Sequence, residues 1–129
     1  MAGKLLDTTV LIDLSRGNMN AADFIDEERR KGTELFVSVI SAMELVIGCR
    51  NKSEVAKVEK SLENFHLAHL NPAISERAYA LLVSYSKSHG LAIPDVLIAA
   101  TALMESLELI SDNDRHFKMI PALSVTRGY

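Results

Sequence analysis

Four short stretches, KLLDTT, SAMELVIG, IPDVLIAA and ISDNDRHF, each set an acid beside an apolar run. The acids are Asp7, Glu44, Asp95, and Asp112 and Asp114 flanking Asn113. Carboxylate oxygens are hard ligands of the kind that Mg2+ takes. Gathered in one place they repel one another and hold perturbed pKa values, unless a divalent cation lies between them. Ions held this way lower the pKa of a bound water and stabilise charge on attacking and leaving oxygens. A Mg2+-type site is therefore the expected chemistry, provided the fold brings the four stretches together.

Each acid also has a structural role open to it. Asp7 can serve as a turn residue where a strand passes into a helix. Ser41-Ala42-Met43-Glu44 matches the capping box, in which a glutamate reaches back to the N–H of the cap residue. Asp95 follows Pro94 in a first helical turn, where the helix dipole favours negative charge. Asp112 and Asp114 can be solvated loop residues. The functional reading rests on their common placement, since all lie at ends of core elements in one α/β order.

The elements that must position these acids are legible from punctuation and periodicity. Leu5-Leu6 form a first strand, and Thr8 or Thr9 caps a helix through Leu14 that ends before Gly17. Asn20 caps a helix to about Lys31, whose acidic start and basic end match the dipole. Leu35 to Val39 form a second strand, Ser41 opens the next helix, and Ser53 caps a charged helix through Asn64. Leu67 to Leu70 form a third strand. Pro72 starts a longer helix with Ala78, Leu81, Leu82 and Tyr85 at helical spacing, and Gly90 ends it. Pro94 starts the most apolar helix, Asp95 to Ser106. Leu107 to Ile110 and Leu123 to Thr126 form the fourth and fifth strands. Helices alternating with short strands predict an α/β sandwich around a mostly parallel sheet, whose ligand crevice lies outside the carboxyl ends of the strands.

The 129 residues make one domain, residues 1–129, large enough to bury a core. A net charge of -3 gives no global basic footprint, so a nucleic-acid partner must be held by a local basic patch and by metal ions. Cys49 is the only cysteine, which excludes an intrachain disulfide and a cysteine-rich zinc site. The most apolar stretch, Val96 to Met104, is shorter than the roughly 20 residues of a membrane span. No signal-peptide core is legible, and the expected location is cytoplasmic. There is no G-x-S-x-G elbow and no Gly-rich phosphate loop. His66 and His69 fall on opposite faces of a strand and are not expected to share a metal.

The segments LLDTTVLIDL, SVISAMELVIG, IPDVLIAATALMESLELIS and SDNDRHF, in this order over nearly the whole chain, closely resemble the PIN-domain ribonucleases, in particular VapC-type toxins of VapBC toxin–antitoxin systems. The resemblance implies a PIN-like, Rossmann-like three-layer α/β/α sandwich. Asp7, Glu44 and Asp95 would carry the three acidic positions around one or two Mg2+ or Mn2+ ions. The chain departs from the family pattern twice. Thr9 stands where Asn is frequent, and the fourth position, two after Ser111, is Asn113, so that Asp112, Asn113 and Asp114 all remain candidates for it.

By this resemblance the chain is a metal-dependent endoribonuclease, the toxin of a type II pair, that cleaves RNA and blocks translation. Asp7 and Asp95 would bind metal directly, Glu44 would bind a second metal or position the attacking water, and the Asp112–Asp114 loop would complete the shell. Thr9, Ser111, Arg115 and His116 would help position substrate, although His116 also reads as a surface residue beside Phe117. Arg16, Arg50, Lys52, Arg115 and Lys118 are the nearest candidates for phosphate contacts. The implied partners are RNA, a VapB-type antitoxin and a second copy of the chain, with no membrane. Two alternatives are a degenerate PIN scaffold that only binds a partner and a phosphorelay receiver domain. The receiver lacks support, because Thr8-Thr9 follow Asp7 where it needs adjacent acids.

Overall fold

Leu5 and Leu6 are both fully buried. Consecutive strand residues face opposite sides of a sheet, so the strand that carries them must be covered on both faces, as parallel strands are. The computed structural model, which describes residues 3–129, places that strand at the centre. The elements run β1 (Gly3–Leu6), α1 (Thr8–Ser15), α2 (Met19–Arg30), β2 (Glu34–Ser38), α3 (Val39–Ile47), α4 (Lys52–Leu62), β3 (His66–Ala68), α5 (Pro72–His89), α6 (Ile93–Met104), β4 (Glu108–Ile110), a 3-10 turn (Asp114–His116) and β5 (Val125–Thr126).

All pairings are parallel, in the order β3-β2-β1-β4-β5. Leu6 is level with Val37 on one side and Ile110 on the other. One face of the sheet packs Leu5 and Leu109 against Ile74, Ala78 and Leu81 of α5 and Val96 and Ala99 of α6. The other packs Leu6, Val37 and Ile110 against Val10 and Leu11 of α1 and Ile25 of α2. The result is the expected three-layer α/β/α sandwich. The chain leaves β1 toward β2 and β3, then returns through α5 and α6 to β4 on the opposite side. The order therefore reverses between β1 and β4, which is where an open parallel sheet forms its crevice.

Element types agree with the sequence reading, while several helix starts do not. Asn18, Asn51 and Asn71 cap α2, α4 and α5 by accepting from the amides of Ala21, Glu54 and Ile74, at 3.1, 2.9 and 2.8 Å. Asn20 and Ser53, the expected caps, lie inside their helices. α1 starts at Thr8 after Asp7, which makes no side-chain cap bond. The correction that matters most is at α3, which begins at Val39 with Ser38 as its cap, the Ser38 hydroxyl accepting from the Ile40 amide at 3.0 Å. Val39 and Ile40 look like strand residues, but tertiary packing overrides that propensity. Ser41 is thus no cap, and Ser41 to Glu44 is not a capping box. β3 ends at Ala68 and β5 is confined to Val125–Thr126, shorter than expected. Among the described residues no helix is long and apolar enough to cross a membrane.

Candidate active site

Asp7 directly follows β1 in the crevice. Its amide donates to the Ile110 carbonyl at 2.8 Å, and its side chain is buried, with 6% of the residue exposed. Oδ2 accepts from the Ser111 hydroxyl at 2.8 Å and from the Thr9 hydroxyl at 3.2 Å. Those hydroxyls in turn accept from the loop beyond β4. Thr9 Oγ1 takes the Asp112 amide at 3.1 Å, and Ser111 Oγ takes the Asn113 amide at 3.0 Å. The turn after β1 and the turn after β4 are therefore locked together through one carboxylate oxygen. Burial pushes the Asp7 carboxyl above the ordinary aspartate range. Hydrogen bonds from Ser111, the Thr8 backbone and Thr9 pull it down, the charge of Asp95 pushes it up again, and the net shift is upward.

Asp95 stands in the first turn of α6. Its Oδ2 accepts from the Ala92 amide at 2.9 Å and lies 2.9 Å from His116 Nε2. The first contact is half of a capping box, since Ala92 has no side-chain acceptor to return. The second brings His116 into the site, while its ring also meets Phe117 edge-on at 5.4 Å. His116 thus lies against both Asp95 and Phe117. Glu44 projects from α3 with its Oε1 2.7 Å from the Thr8 hydroxyl, which is itself 2.8 Å from Ser41 Oγ.

The three loop residues are used differently. Asp112 Oδ1 accepts from Arg127 Nη2 at 2.9 Å. Asp114 pairs with Lys118 at 3.2 Å; desolvation alone would raise its carboxyl, but Lys118 and Arg127 bring it below the ordinary range. Asn113 leads into the 3-10 turn. Asp7, Glu44 and Asp95 contrast with this, because among the described residues none of them has a lysine or arginine ion-pair partner. Of the expected phosphate contacts, Arg50 is held by Glu54 at 2.7 Å and Lys118 by Asp114. Arg16 lines a groove of about 760 Å³ between α1, α3 and α4 that opens at Thr8 and Glu44.

This donor set fits a hard divalent cation. It is all oxygen, its acids lack lysine and arginine partners, and Asp7 is destabilised as an anion by burial and by Asp95. Among the described residues, however, no three His, Cys, Asp or Glu side chains converge closely enough to hold an ion by themselves. Mg2+ usually keeps several waters of its own, so a wide, partly hydrated site suits it.

The family model described as the PIN domain matches residues 4–123. The chain belongs to the PIN-domain family. It is 36% identical over 121 residues to Ribonuclease VapC19 of Mycobacterium tuberculosis, covering 93% of this chain and 96% of that one. Among solved structures it is similar to a chain of a toxin-antitoxin complex from Klebsiella pneumoniae, with 30% identity, a TM-score of 0.75 and 98% of each chain covered. A chain of VapBC-1 from nontypeable Haemophilus influenzae shares the fold at a TM-score of 0.81, with 24% identity and 98% of each chain covered. Two residues of this PIN domain's crevice were not singled out from the sequence. Thr8 lay in view within the D-T-T run, but nothing local says that its hydroxyl meets α3. Arg127 gave no signal, because its partner Asp112 lies across the β4–β5 pairing.

Proposed function

We propose that this PIN domain is a metal-dependent endoribonuclease, the toxin of a type II toxin–antitoxin pair, which cleaves RNA in the cytoplasm and so blocks translation. The observation that carries this reading is a set of acids at the switch point without lysine or arginine partners: Asp7 is buried and raised by the charge of Asp95, and Glu44 is bonded to Thr8, the residue after Asp7. A binding-only scaffold would have no use for that arrangement, which costs stability. The relative's description as a ribonuclease and the neighbour's as a toxin–antitoxin complex agree with it.

In this reading Asp7 and Asp95 hold Mg2+ or Mn2+, and Glu44 holds a second ion or orients the attacking water. A divalent ion bound there supplies activation of water and charge stabilisation for phosphodiester hydrolysis. The chain's own part is orientation. Ser111 and Thr9 fix one oxygen of Asp7. His116 and the Ala92 amide fix Asp95. The loop contributes through Asn113 and the backbone, because Asp112 and Asp114 are already neutralised. Arg16 and Arg115 are the basic side chains proposed to meet phosphates.

The VapB-type antitoxin is proposed to seat a segment in the groove between α1, α3 and α4, where it would lie against Glu44. A second copy of the chain would cover the exposed Tyr79 and Val83, one turn apart on α5. Incubation of the purified chain with total cellular RNA, in Mg2+ or in EDTA, tests the activity. New RNA ends are expected with Mg2+ and none after chelation, and equal cutting in EDTA would sink the proposal.

A further inference from the structure

Thr8 is not one of the acids, yet it touches the machinery on two sides. Its hydroxyl lies 2.7 Å from Glu44 Oε1 and 2.8 Å from Ser41 Oγ. A hydroxyl has a single proton to donate. Given to the carboxylate, which cannot donate in return, it leaves the Thr8 oxygen to accept from Ser41. Ser41 is fully buried and would otherwise hold an unsatisfied hydroxyl, a costly condition. The three residues therefore form a directed chain, Ser41 to Thr8 to Glu44, bridging the first residue of α1 and the second turn of α3. Glu44 itself is exposed, and an exposed glutamate samples many rotamers whose restriction costs entropy. Hydrogen bonds to a charged acceptor are among the stronger ones, so the chain holds the carboxylate over the crevice before any ligand arrives.

We propose that Thr8 is a positioning residue that acts through Glu44, with Ser41 setting the direction in which its proton points. This rests on the ribonuclease reading above. Thr9, its neighbour, serves Asp7 instead, so the two threonines divide the acids between them: one hydroxyl orients the acid after β1 and the other orients the acid on α3.

The test compares wild type, Thr8→Val, Thr8→Ser, Glu44→Gln and Thr8→Val/Glu44→Gln as full chains. Cleavage rates of one total-RNA preparation are measured at limiting and saturating Mg2+, with melting temperatures alongside. Thr8→Val is expected to cut at least about tenfold more slowly, the loss expected for a hydrogen bond to a charged group. Thr8→Ser should stay within about threefold of wild type. Because Thr8 acts through Glu44, the double variant should be no slower than Glu44→Gln alone, the non-additivity expected of coupled residues. If Thr8→Val proves too unstable, Thr8→Val/Ser41→Ala replaces both hydroxyl partners by apolar groups, which can be nearly neutral for stability. It should fold and still cut slowly. The inference is overturned if Thr8→Val cuts at the wild-type rate, if Thr8→Ser is as slow as Thr8→Val, if the two defects multiply in the double variant, or if Glu44→Gln is fully active. A wild-type chain that leaves RNA intact in Mg2+ overturns the ribonuclease reading itself, a different result from any of these.

Discussion

Asp7 combines deep burial, a nearby like charge and no lysine or arginine against it, so its folded-state carboxyl lies above its unfolded value. A group shifted in this direction contributes stability that is full below the unfolded pKa and is lost as pH rises through the folded one. The metal-free protein should therefore lose stability from about pH 4 upward on account of this residue. Asp7→Asn keeps an oxygen for Ser111 and Thr9 but has no charge. In EDTA at neutral pH its melting temperature should match or exceed that of wild type, by about 4 °C for each kcal/mol recovered in a domain of this size. RNA cleavage should be abolished. A clear fall in melting temperature in EDTA would show Asp7 to be chiefly structural. Glu44→Gln should likewise keep its acceptor for Thr8, cost little stability and reduce cleavage at least about tenfold, roughly 1.4 kcal/mol of transition-state stabilisation. The acids themselves were legible in the sequence because each borders an apolar run. The hydroxyls that orient them were only half legible: Thr9 and Ser111 were singled out, while Thr8 depends on a contact 36 positions away that no local pattern records.

At the scale of elements, the helix starts are where local reading and folded structure part. A Ser or Asn near a helix start is a candidate cap wherever it falls, and which candidate is used depends on where packing ends the preceding strand. Ser38 caps α3 because Val37 and Ser38 are still paired in the sheet, leaving Ser41 as the third residue of the helix. Ser41→Ala and Asn71→Ala separate the consequences. Asn71→Ala removes the cap of α5 and should cost about 1 kcal/mol, seen as a lower denaturation midpoint, with activity per folded molecule unchanged. Ser41→Ala should lower cleavage through Thr8 while destabilising less than a lost cap. Equal activity in the two variants would leave Ser41 a bystander. The parallel sheet and its three layers were legible because buried apolar strands alternating with amphipathic helices admit few other arrangements.

For the whole molecule, the end of the sheet opposite the crevice is held by a partly buried ion pair. Lys4 Nζ on β1 lies 2.9 Å from Glu28 of α2 and 3.5 Å from Glu108 of β4, and Glu28 is 4% exposed. Burial would raise the Glu28 carboxyl, but Lys4, Thr33 and Lys31 together hold it below the ordinary range. Its contribution to stability is therefore lost as pH falls through that depressed value, the opposite sign to Asp7. Lys4→Met leaves Glu28 with the Thr33 hydroxyl and the more exposed Lys31 and should cost about 1 kcal/mol, while Lys4→Met/Glu28→Leu should recover most of it. Denaturant midpoints of the two variants decide this, and equal losses would mean that the pair is not coupled. Such a pairing joins residues far apart in the chain and could not be read from spacing.

The bond from Ser111 to Asp7 spans 104 positions. Synthesis delivers β1 first and β4 only after two other strands and their crossovers, so the central strand waits with one edge unpaired until β4 has emerged. Long-range parallel pairing of this kind is slow to form. A nascent chain that has not yet exposed Ser111 carries Asp7 without the hydroxyl that orients it and without the loop that bears His116. Asp7 emerges among the earliest residues, yet it becomes an oriented acid only when β4 docks beside β1 and brings Ser111 to it.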